Sequence, residues 1–309
     1  MTYAIETHDL TKAYDKATVV DNLNLQVKDN EVFGLLGPNG AGKTTTILML
    51  LGLTEPLSGE ILVHGFNPSR ERLRAKRIIG YLPENVGFYE SISARENLGF
   101  IAELNGLGEK EAGELGDELL VRVGLGNVKD TAVGKYSRGM KQRLGIAEVL
   151  LKKPKIAIFD EPTSGLDPKG INQLLDIISE LPKQGTTVVL SSHQLHQVQR
   201  VCHSIGILAK GKMVIQGSMA ELTRDALADG SYIIDVRTEN PGAELADAIK
   251  KIDGVIRVEV QGDSLQITTT RDLRADISKT VVNNDYPLTE VKIQEFSLND
   301  IYMKYFQEG

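Results

Sequence analysis

The stretch Gly37-Pro38-Asn39-Gly40-Ala41-Gly42-Lys43-Thr44-Thr45 constrains this chain more than any other. It fits G-x-x-x-x-G-K-[ST], a loop that cradles phosphate groups. Its surroundings agree. Val32-Phe33-Gly34-Leu35-Leu36 is a short apolar run, expected as a buried strand, and Thr46-Ile47-Leu48-Met49-Leu50-Leu51 reads as the start of a buried helix. The chemistry explains the spelling. Gly37, Gly40 and Gly42 let the backbone turn tightly, so that successive N–H groups face inward onto anionic oxygens. The N-terminus of the following helix adds partial positive charge. Lys43 is expected to reach the β- and γ-phosphates of a nucleotide, and the Thr44 hydroxyl to ligate Mg²⁺.

A second run, Lys155-Ile156-Ala157-Ile158-Phe159-Asp160-Glu161-Pro162, is an apolar strand closing on two carboxylates. In open α/β sheets ligands sit at the carboxyl ends of strands, so Asp160 is expected beside the Mg²⁺. Thr187-Val188-Val189-Leu190-Ser191-Ser192-His193 repeats the arrangement and delivers His193 to the same edge. A lone strand-end histidine is more often structural than catalytic. His193, His196, Cys202 and His203 together invite a metal reading, but three of them are expected along one helix from Gln194, and no second cluster completes a coordination sphere.

The 309 residues are 41% hydrophobic and 25% charged, as in an ordinary globular protein of one large or two modest domains. No apolar run approaches the ~18 residues of a spanning helix. The N-terminus has no basic-then-apolar leader, and the single cysteine, Cys202, rules out an intrachain disulfide. A cytoplasmic location is expected. The net charge of −7 is uneven: residues 221–309 hold 10 Lys and Arg against 17 Asp and Glu, which leaves 25 of each for residues 1–220. Neither part has the basic excess of a nucleic-acid binder.

Tyr3 to Leu10 and Thr18 to Val27 alternate as antiparallel strands turning at Asp15-Lys16, and Tyr14 stands at that turn. Its ring is placed either to stack on a nucleobase or to pack locally. Ser58 to Val63 and Ile78 to Leu82 read as strands, with a short basic helix from Arg70 to Arg77 between them. From Ser93 to Gly124 the pattern is helical, opened by a capping box at Ser93 and Glu96. Ile101, Leu104, Leu107, Leu115, Leu119 and Val123 form its apolar stripe, and Gly106, Gly108, Gly113 and Gly116 are expected to break it into short helices. Ile205–Leu208 and Lys212–Ile215 pair around Lys210-Gly211. The acidic tail reads βαββαβ, a small ferredoxin-like sandwich, with a last helix from about Ser297.

Between the helical block and the Asp160 strand lies Tyr136-Ser137-Arg138-Gly139-Met140-Lys141-Gln142-Arg143-Leu144. It closely resembles the signature stretch of ABC-transporter ATPases. The other motifs follow in that family's order. Tyr14 is similar to its adenine-stacking aromatic, Gly37 to Thr45 to Walker A, and Ile156 to Glu161 to Walker B with its catalytic glutamate. Ser164-Gly165-Leu166-Asp167 resembles the D-loop, and His193 the switch histidine. The resemblance spans residues 3–220. It implies an α/β P-loop ATPase with a mixed central sheet, an antiparallel β-subdomain and a helical subdomain at about 85–152. These would fill residues 1–222, with the accessory α+β domain in 223–309.

The resemblance also implies a mechanism. Two copies would pair head to tail over Mg-ATP, Ser137 and the N–H groups near Gly139 of one copy capping the nucleotide held by the other. Glu161 would polarise the attacking water and His193 would contact the γ-phosphate. Glu84 stands where the family usually has a metal-ligating Gln, and Arg138 where it has a signature Gly. Arg138 would either add a phosphate contact or crowd the pocket. A single ATPase domain with a small α/β domain behind it resembles the ABC-2-type export group. Pro83-Glu84-Asn85 resembles the ATPases of nitrous oxide reductase copper-site maturation. A separate integral membrane permease is implied, docking near Val86, Phe88 and Tyr89, which places the subunit at the cytoplasmic face of the membrane. The competing readings are a non-transport ABC-type ATPase, as in translation or DNA repair, and a P-loop small-molecule kinase.

Overall fold

Val32–Leu36 (β3) is buried at all five positions, and the structure explains why its sequence shows no alternation. It lies inside a six-stranded sheet, between the strands Thr187–Ser192 (β7) and Ser204–Ala209 (β8), both parallel to it. Strands with helices on both faces read as continuous apolar runs. The computed structural model describes residues 3–15, 17–218, 221–222 and 232–293, without the side chains of residues 196 and 197. The chain divides into two compact units, Met1–Met219 and Ala220–Gly309, a boundary slightly before the one expected.

In the first unit the sheet order is β5-β6-β7-β3-β8-β9, with β5 Ile79–Leu82, β6 Ile156–Phe159 and β9 Lys212–Ser218. Only β9 runs antiparallel, as the return arm of a hairpin with β8. The carboxyl ends of β5, β6, β7 and β3 therefore share one edge. A second, antiparallel sheet of three strands joins β1 Tyr3–Tyr14, β2 Ala17–Lys28 and β4 Ser58–Val63. One apolar core unites the two sheets through helix α1, Lys43–Leu50. Leu10, Leu23 and Leu25 pack in the same cluster as Ile47, Met49 and Leu50 and as Phe33, Leu35 and Ile158.

The helical part holds α3 Ala94–Leu104, α4 Glu109–Arg122 and α5 Arg138–Leu151; α2 is the short Arg72–Ile78. The capping box forms: Glu96 N donates to Ser93 Oγ at 3.2 Å and Ser93 N to Glu96 Oε2 at 2.7 Å. Two expectations are corrected. Gly113 and Gly116 lie within α4 and do not interrupt it. A helical glycine costs only about 1 kcal/mol, less than burial of Leu119 and Leu120 on the same helix returns. The face of α3 that is buried is Ala94, Leu98 and Ala102, whereas Leu104 is exposed. Among the described residues the remaining α-helices of the unit are α6 Pro168–Glu180 and α7 Leu195–Val201.

The second unit has strands β10 Tyr232–Thr238, β11 Val255–Gln261, β12 Ser264–Thr269 and β13 Leu288–Ile293, with helices α8 Ala243–Lys250 and α9 Arg274–Asn283. Its antiparallel order β11-β12-β10-β13 is the ferredoxin-like arrangement. Ile234, Val236, Leu245, Ile249, Leu265 and Ile277 form its own core. The helix expected from Ser297 lies outside the described residues. Among the described residues no helix is long and apolar enough to cross a membrane.

Candidate functional site

The loop leaving β3 needs glycine for two physical reasons. At Gly37, with φ +153°, a Cβ would stand 2.4 Å from the Leu208 carbonyl oxygen. At Gly42, with φ +102°, it would stand 2.7 Å from that of Val19. Gly42 is also the N-cap of α1, and no side chain caps that helix. Its first N–H groups are therefore left to an external acceptor. Lys43 is almost fully buried and curls back over the loop. Its Nζ donates to Gly37 O at 2.7 Å and to Pro38 O at 3.2 Å.

The neighbouring strand end supplies the carboxylates. Ser191 Oγ, buried in β7, donates to Asp160 Oδ1 at 2.5 Å and accepts from Glu161 N at 2.8 Å. Burial, reinforced by the nearby Asp160 charge, pushes the Tyr81 hydroxyl up to about 12. Glu161 has φ +47°, rare for a residue with a Cβ, and such strain clusters at functional sites. Its Oε2 lies 2.9 Å from His193 Nδ1. Its Oε1 is 3.4 Å from Lys43 Nζ, in ion-pair range, but accepts no hydrogen bond. A buried acceptor left over between a cation and an imidazole fits a water molecule, which can donate to it.

Asn39, Gly40, Ala41, Gly42, Lys43, Thr44, Thr45, Glu84 and Glu161 line one cavity of about 180 Å³, together with Val19. Sequence reasoning had placed all of these there except Val19. It also missed Ser191, whose signal was the polar pair Ser191-Ser192 at the end of β7, just ahead of His193. Tyr14, Ser137 and Gly139 do not line this cavity. Tyr14 is half-exposed, with Lys12 Nζ 5.0 Å from its ring centroid, a cation–π contact. Ser137 caps α5, its Oγ accepting from Met140 N at 3.2 Å. Gly139 faces Leu166, which a Cβ would meet at 3.6 Å.

The histidine-cysteine grouping resolves differently. Helix α7 ends at Val201, so of that group only His196 lies on it, and its side chain is outside the description. Val32 N donates to His203 Nδ1 at 3.0 Å, and Cys202 is buried. Among the described residues no three His, Cys, Asp or Glu side chains converge as a metal site.

Residues 20–164 match the family described as ABC transporter. The bacitracin transport ATP-binding protein BcrA of Bacillus licheniformis is 37% identical over 317 residues, covering 100% of this chain and 99% of that protein. This chain belongs to the ABC-transporter ATP-binding subunits. The linearmycin resistance ATP-binding protein LnrL of Bacillus subtilis (strain 168) is 36% identical over 263 residues, 85% of this chain and 84% of that protein. A solved ATP-binding subunit of an ABC transporter superposes with TM-score 0.66 at 33% identity, covering 72% of this chain and 93% of that one. As an ABC ATPase, the chain is the ATP-hydrolysing motor subunit of a transporter. That membership sets aside the P-loop kinase reading.

Proposed function

We propose that two copies of this subunit close head to tail over two Mg-ATP molecules and drive export through a separate membrane permease. The observation that carries the reading is the Glu161 carboxylate, set between Lys43 and His193 with one buried oxygen accepting no hydrogen bond. In this reading Glu161 takes the proton of the attacking water on Oε1. His193 holds the other oxygen and senses the γ-phosphate. Lys43 turns from the loop carbonyls and Glu161 to the phosphates.

Thr44, Glu84 and Asp160 offer the oxygen-only donors that a hard divalent cation takes. Mg²⁺ held by them would supply charge to neutralise the phosphate oxygens. The cavity is smaller than the ~300–1,000 Å³ that encloses a drug-sized ligand, so it cradles only part of a nucleotide. The exposed Ser137 and the N-terminus of α5 are suited to cap the remainder from the partner copy, and Tyr14 to stack on the base.

A second cavity, of about 330 Å³, is lined by Gly87, Phe88, Tyr89, Asn97, Ile101 and Glu148. Tyr89 and Phe100 meet edge to face beside it, and we assign permease docking there, which places the subunit at the cytoplasmic face of a membrane. Relatives named for bacitracin transport and linearmycin resistance support an antibiotic as cargo, ahead of copper-site maturation. The test is Glu161→Gln with light scattering: a stable dimer is expected at saturating Mg-ATP, one that the parent forms only briefly. A variant that binds Mg-ATP yet stays monomeric contradicts the head-to-tail arrangement.

A further inference from the structure

We propose that Arg138 is a positioning residue that balances the charge of Glu84 at the phosphate cavity, the two acting as one unit through the Ser164 hydroxyl. The geometry is a relay. Arg138 Nη2 donates to Ser164 Oγ at 3.4 Å, and Ser164 Oγ donates to Glu84 Oε1 at 3.3 Å. A hydroxyl has one proton to give and lone pairs to receive with, so both bonds are made together. The guanidinium is seated over Gly165, whose φ is +68°; a Cβ there would stand 2.3 Å from Arg138 Nη1. Glycine at 165 thus leaves the room in which the arginine lies. Arg138 thus faces its own chain's Ser164-Gly165 turn, a contact that the sequence did not foretell.

The backbone of Glu84 is held from the same helix. Gln142, buried on α5, donates from Nε2 to Glu84 O at 3.2 Å. Helix α5 therefore grips the Glu84 turn twice, at the carbonyl through Gln142 and at the carboxylate through Arg138 and Ser164. Glu84 lines the phosphate cavity on one side and, with Arg138, a cavity of about 350 Å³ on the other. A carboxylate at the first repels phosphate oxygens well within the ~8 Å Debye length of physiological salt. A guanidinium two hydrogen bonds away offsets that repulsion and turns the carboxylate toward Ser164. The planar fork of Arg suits both the seat and the bond, whereas Lys would bring charge alone.

The inference rests on the nucleotide-site reading above. Its test is a double-mutant cycle on the full chain, read as Mg-ATP affinity by titration with a fluorescent ATP analogue. Arg138→Gln is expected to weaken binding about 3- to 10-fold beside Glu84 and less than ~2-fold in a Glu84→Gln background. The gap should narrow in 1 M salt, where the Debye length is ~3 Å, and Arg138→Lys should recover part of the loss. Ser164→Ala removes the bridge without touching either charge and is expected to shrink the Glu84-dependence, which keeps the proposal testable if Arg138→Gln folds poorly. Equal losses in both backgrounds, unmoved by salt, overturn the coupling alone. A parent that binds no Mg-ATP overturns the nucleotide-site reading, and the coupling with it.

Discussion

Lys43 Nζ and Glu161 Oε1 stand 3.4 Å apart, both nearly buried, at the ends of two different loops. The lysine comes from the turn after β3 and the glutamate from the turn after β6. Two strands with β7 between them in the sheet thus bring a cation and a carboxylate to one point. Such a pair, each member also held by other partners, assigns separable roles. Lys43→Ala is expected to lose nucleotide affinity, and Glu161→Gln to keep affinity while hydrolysis falls by about 10²–10⁴-fold. Binding titration beside a phosphate-release assay separates the two, and a Glu161→Gln variant that hydrolyses at the parent's rate would falsify the assignment.

Ser191 fixes the carboxylate edge from beneath. It serves Asp160 through its proton and the Glu161 N–H through its lone pair. Ser191→Ala leaves a buried N–H without its acceptor, at a cost of about 1–3 kcal/mol. We expect a lower denaturation midpoint, with catalysis reduced more than binding because the strained Glu161 turn is no longer pinned. Unchanged stability together with unchanged turnover would remove Ser191 from the site.

Glu148 carries a pH signature. Burial pushes its carboxyl above the ordinary range, and the opposing pull of Lys152 is the smaller effect. A group whose folded form holds its proton more tightly than the unfolded chain does costs stability as pH rises through the unfolded value. The penalty is absent near pH 4 and present at pH 7. Glu148→Gln should therefore raise the melting temperature at pH 7 and leave it nearly unchanged at pH 4. Equal shifts at both pH values would mean that the effect is packing, not charge.

Cys202 should be chemically silent. It is buried beside Gly34, and burial drives its thiol far up, with the Glu31 charge adding to the effect. The thiolate is the reactive form. Labelling by a thiol reagent is expected only after addition of denaturant, at a rate that tracks unfolding. Rapid labelling of the native chain would show that α7 opens away from β3.

The legible features were those with a local cause. The phosphate loop, the acid-ended strand and the capping box each join neighbours in the chain, and backbone sterics or helix-end hydrogen bonding dictate their residues. The helix breaks expected at Gly113 and Gly116 failed because propensity is weak beside the burial of Leu119 and Leu120. Leu104 was misplaced because a stripe of apolar residues does not say which part of it faces a neighbour. His203, part of a grouping that only invited a metal reading, accepts the Val32 N–H of β3, a partner 171 residues away that no local pattern records.

By itself the amino-acid sequence determined that a lysine-tipped glycine loop, two carboxylates and a histidine end their respective strands, since each is written within a few residues. Only the tertiary structure decided that Lys43 meets Glu161, that Ser191 carries both carboxylate-bearing positions, and that Arg138 turns to Ser164. Those contacts depend on the order β5-β6-β7-β3. Strand order is set by how helices and apolar faces pack across the whole sheet, and no local stretch records it.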